Sequence, residues 1–266
     1  MRLTSCLFVA FCYFSTAGFA NASQTMMRFC YENQNYPPYL IEPENGVVSL
    51  GNSGVLTDLI LHATKSVGIK AEFVHYPWKR CITLLETGQV DGIYAAIWLK
   101  KRDKWGVFPK QNGKPDSRFH LWRVKYNIYT LKDAELTWDG EQFTGVKTGL
   151  AAPLGYVAEE KLEQLKVKAA HTYLPKDGMR LVGMGRLDGY VVESAIGDHL
   201  QHSIPEARDV ISLGEPFMQA DWYVPLSHAW VKEYPELSEK FWQALADARN
   251  QYGPTLYQKY SYMASE

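Results

Sequence analysis

The chain has 266 residues and a formal charge of −1, so it carries no bulk attraction for nucleic acid or for an anionic membrane. Aromatic residues make up 14% of it, enough to build a core and also line a pocket. Basic residues are scattered, apart from the run Lys100-Lys101-Arg102.

The first segment reads as a leader. Arg2 is a short basic start, Leu3 to Phe14 is mostly apolar, and Ala20-Asn21-Ala22 is a small-x-small site. That order predicts a signal peptide over residues 1–22, cut before Ser23, and hence export to the periplasm. The apolar run is too short for a membrane anchor. Cys6 and Cys12 go with the leader, which leaves Cys30 and Cys81. Two thiols in an oxidising compartment are read as one disulfide, with two buried free thiols as the alternative.

Met27 to Glu32 is a predicted strand. Asn33 to Tyr39 (NQNYPPY) is a loop, because paired prolines exclude helix and sheet interior. Val55 to Ser66 is a helix with Leu56, Leu59, Ile60 and Ala63 on one stripe, ended by Gly68. Lys70 to His75 is a strand and Lys79 to Glu86 a helix stopped by Gly88. Val90 to Ile97 is nearly continuous in apolar residues, which predicts one strand covered on both faces. Lys110 to Ser117 is a Gly/Pro loop, Phe119 to Leu131 a long strand, and Asp133 to Phe143 a polar connector.

The earlier pattern then returns. Gly145 to Ala151 and Val167 to Tyr173 read as strands, Tyr156 to Leu165 and Lys176 to Met184 as helices, and Leu187 to Glu193 as a strand. Gly88 pairs with Gly185, Asp91 with Asp188 and Gly92 with Gly189. In each half a Gly ends a helix and an Asp-Gly opens a buried strand. The shared β-α-β-α-β order predicts parallel sheets flanked by helices in both halves. A helix runs on to about Gln201. Val210 to Leu213 and Asp221 to Leu226 are extended, and Pro235 to Tyr260 is mainly helical.

Open parallel sheets bind ligands beyond the carboxyl ends of their strands. Arg102 follows the first repeated strand and Glu193 ends the second. A zwitterion satisfies both, with its carboxylate on the planar fork of Arg102 and its ammonium on Glu193. Loop amides at the helix start near Tyr156 are further donors to that carboxylate. Tyr36, Tyr39, Trp78, Tyr94 and Trp98 sit on loops or strand ends where pocket walls form, with Trp78 as an alternative staple of the following helix, and Trp222 and Tyr223 read as core. His199 and His202 read as a wet helix face, and no metal or cofactor is expected.

In order, Tyr36-Pro37-Pro38-Tyr39, GVLTDLI at Gly54 to Ile60, PWKR at Pro77 to Arg80, GQVDGI at Gly88 to Ile93, and Arg102 with Phe108-Pro109 resemble the family 3 extracellular solute-binding proteins, the amino-acid-binding components of bacterial ABC importers. The resemblance implies a type II periplasmic binding protein fold, an α/β architecture of two lobes joined by two crossings. Lobe 1 is expected over residues 23–118 and 214–266, lobe 2 over residues 119–213. It implies a monomer that captures a small-molecule ligand and meets a membrane ABC permease. It places the ligand carboxylate on Arg102, its amine on Glu193 and an aromatic wall at Tyr36. A few relatives are periplasmic dehydratases, and a sensor subunit would use the same closed form. This chain departs from the family in lacking small hydroxyl residues at Ala95 to Trp98 and at Ala151 to Tyr156, and in having Glu rather than Asp at position 193.

Overall fold

The computed structural model describes residues 24–43 and 46–263. The leader expected over residues 1–22 lies outside the described residues. Among the described residues, no helix is long and apolar enough to cross a membrane.

The first sheet holds three parallel strands, β1 (Met26–Glu32), β2 (Lys70–Tyr76) and β3 (Gly92–Ile93), in the order β2-β1-β3. Met27, Phe29 and Cys30 are fully buried, so the central strand is covered on both faces. Helix α1 (Val55–Ser66) buries its predicted stripe, and Gly68 at φ 73° lets the chain turn back. Helix α2 (Trp78–Glu86) ends the same way, with Gly88 at φ 67°.

Cys30 on β1 and Cys81 on α2 are bridged, with 5.5 Å between their Cα atoms. This decides between the two readings of the paired cysteines.

Val90 to Ile97 is not one strand. β3 stops at Ile93, Ala95 adopts φ 65°, and β4 (Ala96–Ile97) then pairs antiparallel with a strand of a different sheet. An apolar run shows that a segment is buried, and nothing in it shows which sheet does the burying. A left-handed alanine costs roughly 1–2 kcal/mol, so packing on both sides must hold this switch in place.

Three regular pieces were missed or shifted in the middle of the chain. The Gly/Pro loop is a hairpin of β5 (Lys110–Gln111) and β6 (Lys114–Pro115). The long strand is β7 (Trp122–Leu131), preceded by a short 3-10 turn. The polar connector folds into a second hairpin of β8 (Thr137–Trp138) and β9 (Phe143–Thr144).

The later elements are β10 (Leu150–Ala151), α3 (Val157–Gln164), α4 (Pro175–Gly183), β11 (Gly189–Glu193), α5 (Ser194–Ser203), β12 (Val210–Ser212), β13 (Met218–Tyr223), α6 (His228–Glu233) and α7 (Pro235–Met263). They form a sheet in the order β10-β11-β7-β13-β4, with β12 also on β7. Among the described strands of this sheet β10 and β11 pair in parallel, and the other strand pairs are antiparallel. This corrects the expectation of parallel sheets in both halves. β7 enters after the repeat has been interrupted, and its length lets it pair with β13 through Trp122–Tyr126 and with β11 through Tyr126–Tyr129.

Two predicted strands shrink. Gly145 to Ala151 reduces to β10, and Val167 to Tyr173 reduces to one parallel bridge between Lys168 and Leu150. Beyond Lys168 the chain runs to α4, which Pro175 opens at a position where its missing N–H costs nothing.

The repeated aspartates are fasteners. Asp91 accepts the Arg28 N–H at 2.7 Å, which ties β3 to β1. Asp188 accepts three successive N–H groups, from Lys147, Thr148 and Gly149, at 2.7, 2.7 and 2.8 Å. Helix α7 lies along α1, where Tyr260 donates to Asp58 at 2.7 Å. Its Phe241 ring meets Phe29 of β1 at 5.7 Å.

The bridge closes a loop of 51 residues. The chain-entropy model assigns such a loop about 4 kcal/mol of stabilisation. Reduction, or a Cys30→Ala/Cys81→Ala double substitution, is expected to lower unfolding stability by about that amount, as read from denaturant titrations.

Candidate functional site

The ends of the strands converge on one cavity. Its volume is about 40 Å³, and its walls include Glu32, Tyr36, Trp78, Arg102, Tyr156 and Glu193. Glu32 is the last residue of β1 and Glu193 the last of β11. Arg102 sits in the middle of a 3-10 turn, Lys100–Lys104, just beyond β4. This is the position where strand ends of α/β sheets gather ligands.

Arg102 is only 2% exposed, although its neighbours in the basic run face solvent. Its Nη1 donates to the Ile97 carbonyl at 3.1 Å and its Nη2 to the Gly155 carbonyl at 3.1 Å. Glu160 is 3.6 Å from Nη2, and the guanidinium lies 4.4 Å from the Trp105 ring centroid. Nε is buried and makes no hydrogen bond among the described residues. Burial pushes the Arg102 pKa down while Glu160 acts against it.

Two of the amides near Tyr156 are already used within the loop and the first turn of α3. The Gly155 N–H donates to Glu159 at 2.6 Å and the Tyr156 N–H to the Pro153 carbonyl at 3.2 Å. What this loop offers the site is the Gly155 carbonyl, which points at Arg102.

Glu193 is 2% exposed and caps α5. Its Oε2 accepts the N–H groups of Ala195 and Ile196 at 2.9 and 3.2 Å. Its Oε1 accepts the Tyr39 and Ser194 hydroxyls at 3.1 and 3.0 Å. An ionised carboxylate offers about four lone-pair directions, and here each has a donor. Burial raises the Glu193 pKa to about 7, against the lowering effect of those hydrogen bonds.

Glu32 was missed by the sequence reading. The signal was present: it ends β1 as Glu193 ends β11, and the strand-end rule applies equally to both. Its Oε2 accepts the Tyr156 hydroxyl, and burial raises its pKa to about 7.

The aromatic expectations divide. Tyr36, Tyr39, Trp78, Tyr94 and Tyr156 line the cavity, together with Trp222, which was read as core, and Tyr126, which was not singled out. The Tyr36 hydroxyl is buried without a hydrogen-bond partner among the described residues, and the Tyr94 hydroxyl pairs with Thr57 at 2.9 Å. Trp98 does not reach the cavity. Its Nε1 donates to Asp103 at 2.8 Å on the far side of the turn. Successive side chains of an extended segment point to opposite sides, and Ile97 takes the cavity side.

This architecture is the type II periplasmic binding fold, with helix-flanked sheets and a cleft at the strand ends. The chain belongs to the bacterial extracellular solute-binding proteins, family 3, whose model matches residues 27–261. No curated protein matches the sequence. Among solved structures, it is similar to a protein from Wolinella succinogenes assigned as the binding component of an ABC transporter, in complex with lysine. That match has a TM-score of 0.70 and 17% identity and covers 90% of this chain and 96% of the other. A histidine kinase sensor domain similar to periplasmic binding proteins has a TM-score of 0.69 and 18% identity, covering 89% and 96%. An ancestral amino-acid-binding protein, a precursor of cyclohexadienyl dehydratase, has a TM-score of 0.66 and 20% identity, covering 88% and 94%. At such identities the likeness shows the fold alone.

A carboxyl whose pKa is raised on folding holds more protons folded than unfolded between its two values. Stability therefore falls as pH rises through that interval. For Glu32 the interval runs from 4.5 to about 7, and the shift corresponds to roughly 3 kcal/mol. Ligand-free Glu32→Gln protein is expected to match the wild type near pH 5 and to melt at higher temperature than it at pH 8. Parallel melting curves across that range would show that burial does not raise this carboxyl.

Proposed function

We propose that the chain is a periplasmic solute receptor that closes two lobes on a small amino acid or amino-acid-like ligand and delivers it to an ABC importer. Residues 23–118 with 214–266 form one lobe and residues 119–213 the other, and the receptor works as a monomer with no cofactor. The observation that carries this reading is the pair of Arg102 and Glu193, placed by different strands on one buried cavity.

Arg102 has five N–H donors, of which two are held by the Ile97 and Gly155 carbonyls. The Nε edge remains for a carboxylate. The ligand ammonium faces Glu193 as a charge, since the lone-pair directions of that carboxylate are taken by Tyr39, Ser194, Ala195 and Ile196. Tyr36, Trp78, Tyr94 and Tyr156 supply walls. Closure is driven by contacts that exist only when the lobes meet. Three such bonds support the reading: Arg102 to Gly155, Tyr156 to Glu32 and Tyr39 to Glu193.

Two carboxyls near pH 7 in one cavity are also what proton-transfer chemistry on this fold would need. Recovery of the ligand after prolonged incubation separates the readings, because a receptor returns it unchanged and a dehydratase does not. A sensor role uses the same closed form and differs only in the membrane partner.

A thermal-shift screen of amino acids, amines and small carboxylates is expected to find a stabilising compound, by about 2.7 kcal/mol at one hundred times its Kd. Arg102→Met should weaken a carboxylate ligand by ~100-fold or more, measured by calorimetry, because the ligand charge is left buried and unpaired. Full affinity in that variant would overturn the clamp.

A further inference from the structure

The basic run that carries Arg102 also faces outward, and its charges are paired in two directions. Lys100 meets Asp103 at 3.4 Å and Lys104 meets Glu86 at 3.8 Å, all within residues 23–118. Lys101 reaches the other way, to Glu160 on α3, at 2.7 Å. That carboxylate serves two cations. Its Oε2 meets Lys101, and its Oε1 lies 3.6 Å from Nη2 of Arg102. Lys101 and Arg102 belong to the first expected lobe and Glu160 to the second. The cavity walls are built without Lys101 or Glu160.

The lysine pair by itself would carry little. The Lys101 side chain is 63% exposed and that of Glu160 27%, and an exposed ion pair shifts an equilibrium by about fivefold at most. Its weight comes from Arg102, whose side chain is 3% exposed. A guanidinium taken out of water needs a counter-charge, and Glu160 brings one from across the cleft. The loop ahead of α3 seats the carboxylate there. The Gly155 carbonyl accepts from Arg102, and a Cβ at Gly155 would lie 3.4 to 3.5 Å from Lys79 and Trp78, so this loop packs against the start of α2. The neighbouring acid has a different task. Glu159 accepts the Gly155 N–H and pairs with Lys168, both in its own half.

We propose that Lys101 and Glu160 form an ionic latch across the mouth of the cleft, anchored on Arg102, which sets the balance between open and closed lobes before a ligand enters and makes that balance sensitive to ionic strength. This rests on the two-lobe receptor reading. Adjacent residues of one turn divide the work, Arg102 for the ligand and Lys101 for the facing lobe. Dissolved salt screens exposed charges beyond about 8–10 Å at ordinary ionic strength and at shorter range when concentrated, so the latch loosens as salt rises. The hydroxyl-to-carboxyl bond from Tyr39 to Glu193 is buried and lies out of reach of that screening.

The test measures lobe separation in the ligand-free full chain at fixed pH. Spin labels at Asn33→Cys and Lys176→Cys, exposed positions in different lobes, report the distance distribution. Raising salt from about 20 mM to about 500 mM is expected to increase the open-to-closed ratio severalfold. Lys101→Met should raise that ratio about two- to fivefold at low salt. Glu160→Gln should raise it about tenfold or more, because it also strips the buried Arg102 of its counter-charge. The double variant should match Glu160→Gln alone. Both single variants should lose most of the salt response, and Lys101→Arg should keep it. Melting temperature shows whether each variant is folded. Additive effects of the two substitutions, or an undiminished salt response in a folded variant, overturn the latch and leave the receptor reading intact. One fixed distance in every protein at every salt concentration overturns the latch together with lobe closure. The receptor reading fails on separate grounds, a screen in which no compound stabilises the protein.

Discussion

The cleft depends on keeping a guanidinium dry. Arg102 sits in a run of solvated lysines, yet it is drawn inward by two carbonyls from different parts of the chain, Ile97 before it and Gly155 well after it. A buried charge must be paired and hydrogen-bonded or it destabilises the fold. Glu160 and the Trp105 face complete its surroundings. Once this group is fixed, the first sheet's exit and the α3 loop are fixed to each other, and the cavity between them has a wall.

The backbone around that wall explains how one chain serves two sheets. β3 pairs with β1 in the first sheet, and β4 pairs with β13 in the second, with left-handed Ala95 between them. β7 and β13 run side by side through the second sheet. Segments of this kind can absorb a rotation between lobes, because the change is confined to a few dihedrals at element ends. The disulfide and the Asp91 and Asp188 fasteners adjoin these segments: Cys30 pairs in register with Ile93 of β3, Asp91 precedes β3 and holds it to β1, and Asp188 precedes β11 and accepts the Thr130 hydroxyl of β7 on its backbone carbonyl.

Much of this was legible in residues. The α1 stripe, the Gly68 and Gly88 stops and the two Asp-Gly strand starts follow from local rules, and local rules hold where burial is one-sided. Arg102 and Glu193 were found because a repeat aligned the ends of two strands. The same logic extended to β1 would have found Glu32. What could not be read was which partner a buried segment takes. The Val90 to Ile97 run is apolar throughout, whichever sheet receives it, and β7 reorganises the second sheet without leaving a mark in the repeat. Trp98 was misplaced for the same reason, since the face it shows depends on the switch at Ala95.

The missing small hydroxyls at Ala95 to Trp98 and Ala151 to Tyr156 find their answer in tyrosine. The Tyr39 and Tyr156 phenols donate to Glu193 and Glu32, and the Tyr36 phenol faces the same cavity. A tyrosine carries its hydroxyl at the end of a rigid ring with only two side-chain torsions, so the donor is placed at reach with little loss of entropy. The ring also fills space that a serine would leave open, which is consistent with a cavity of only about 40 Å³. The high aromatic content and the absent hydroxyls are therefore one solution: the strand ends deliver carboxylates, and the hydroxyls that meet them come from tyrosines across the cleft.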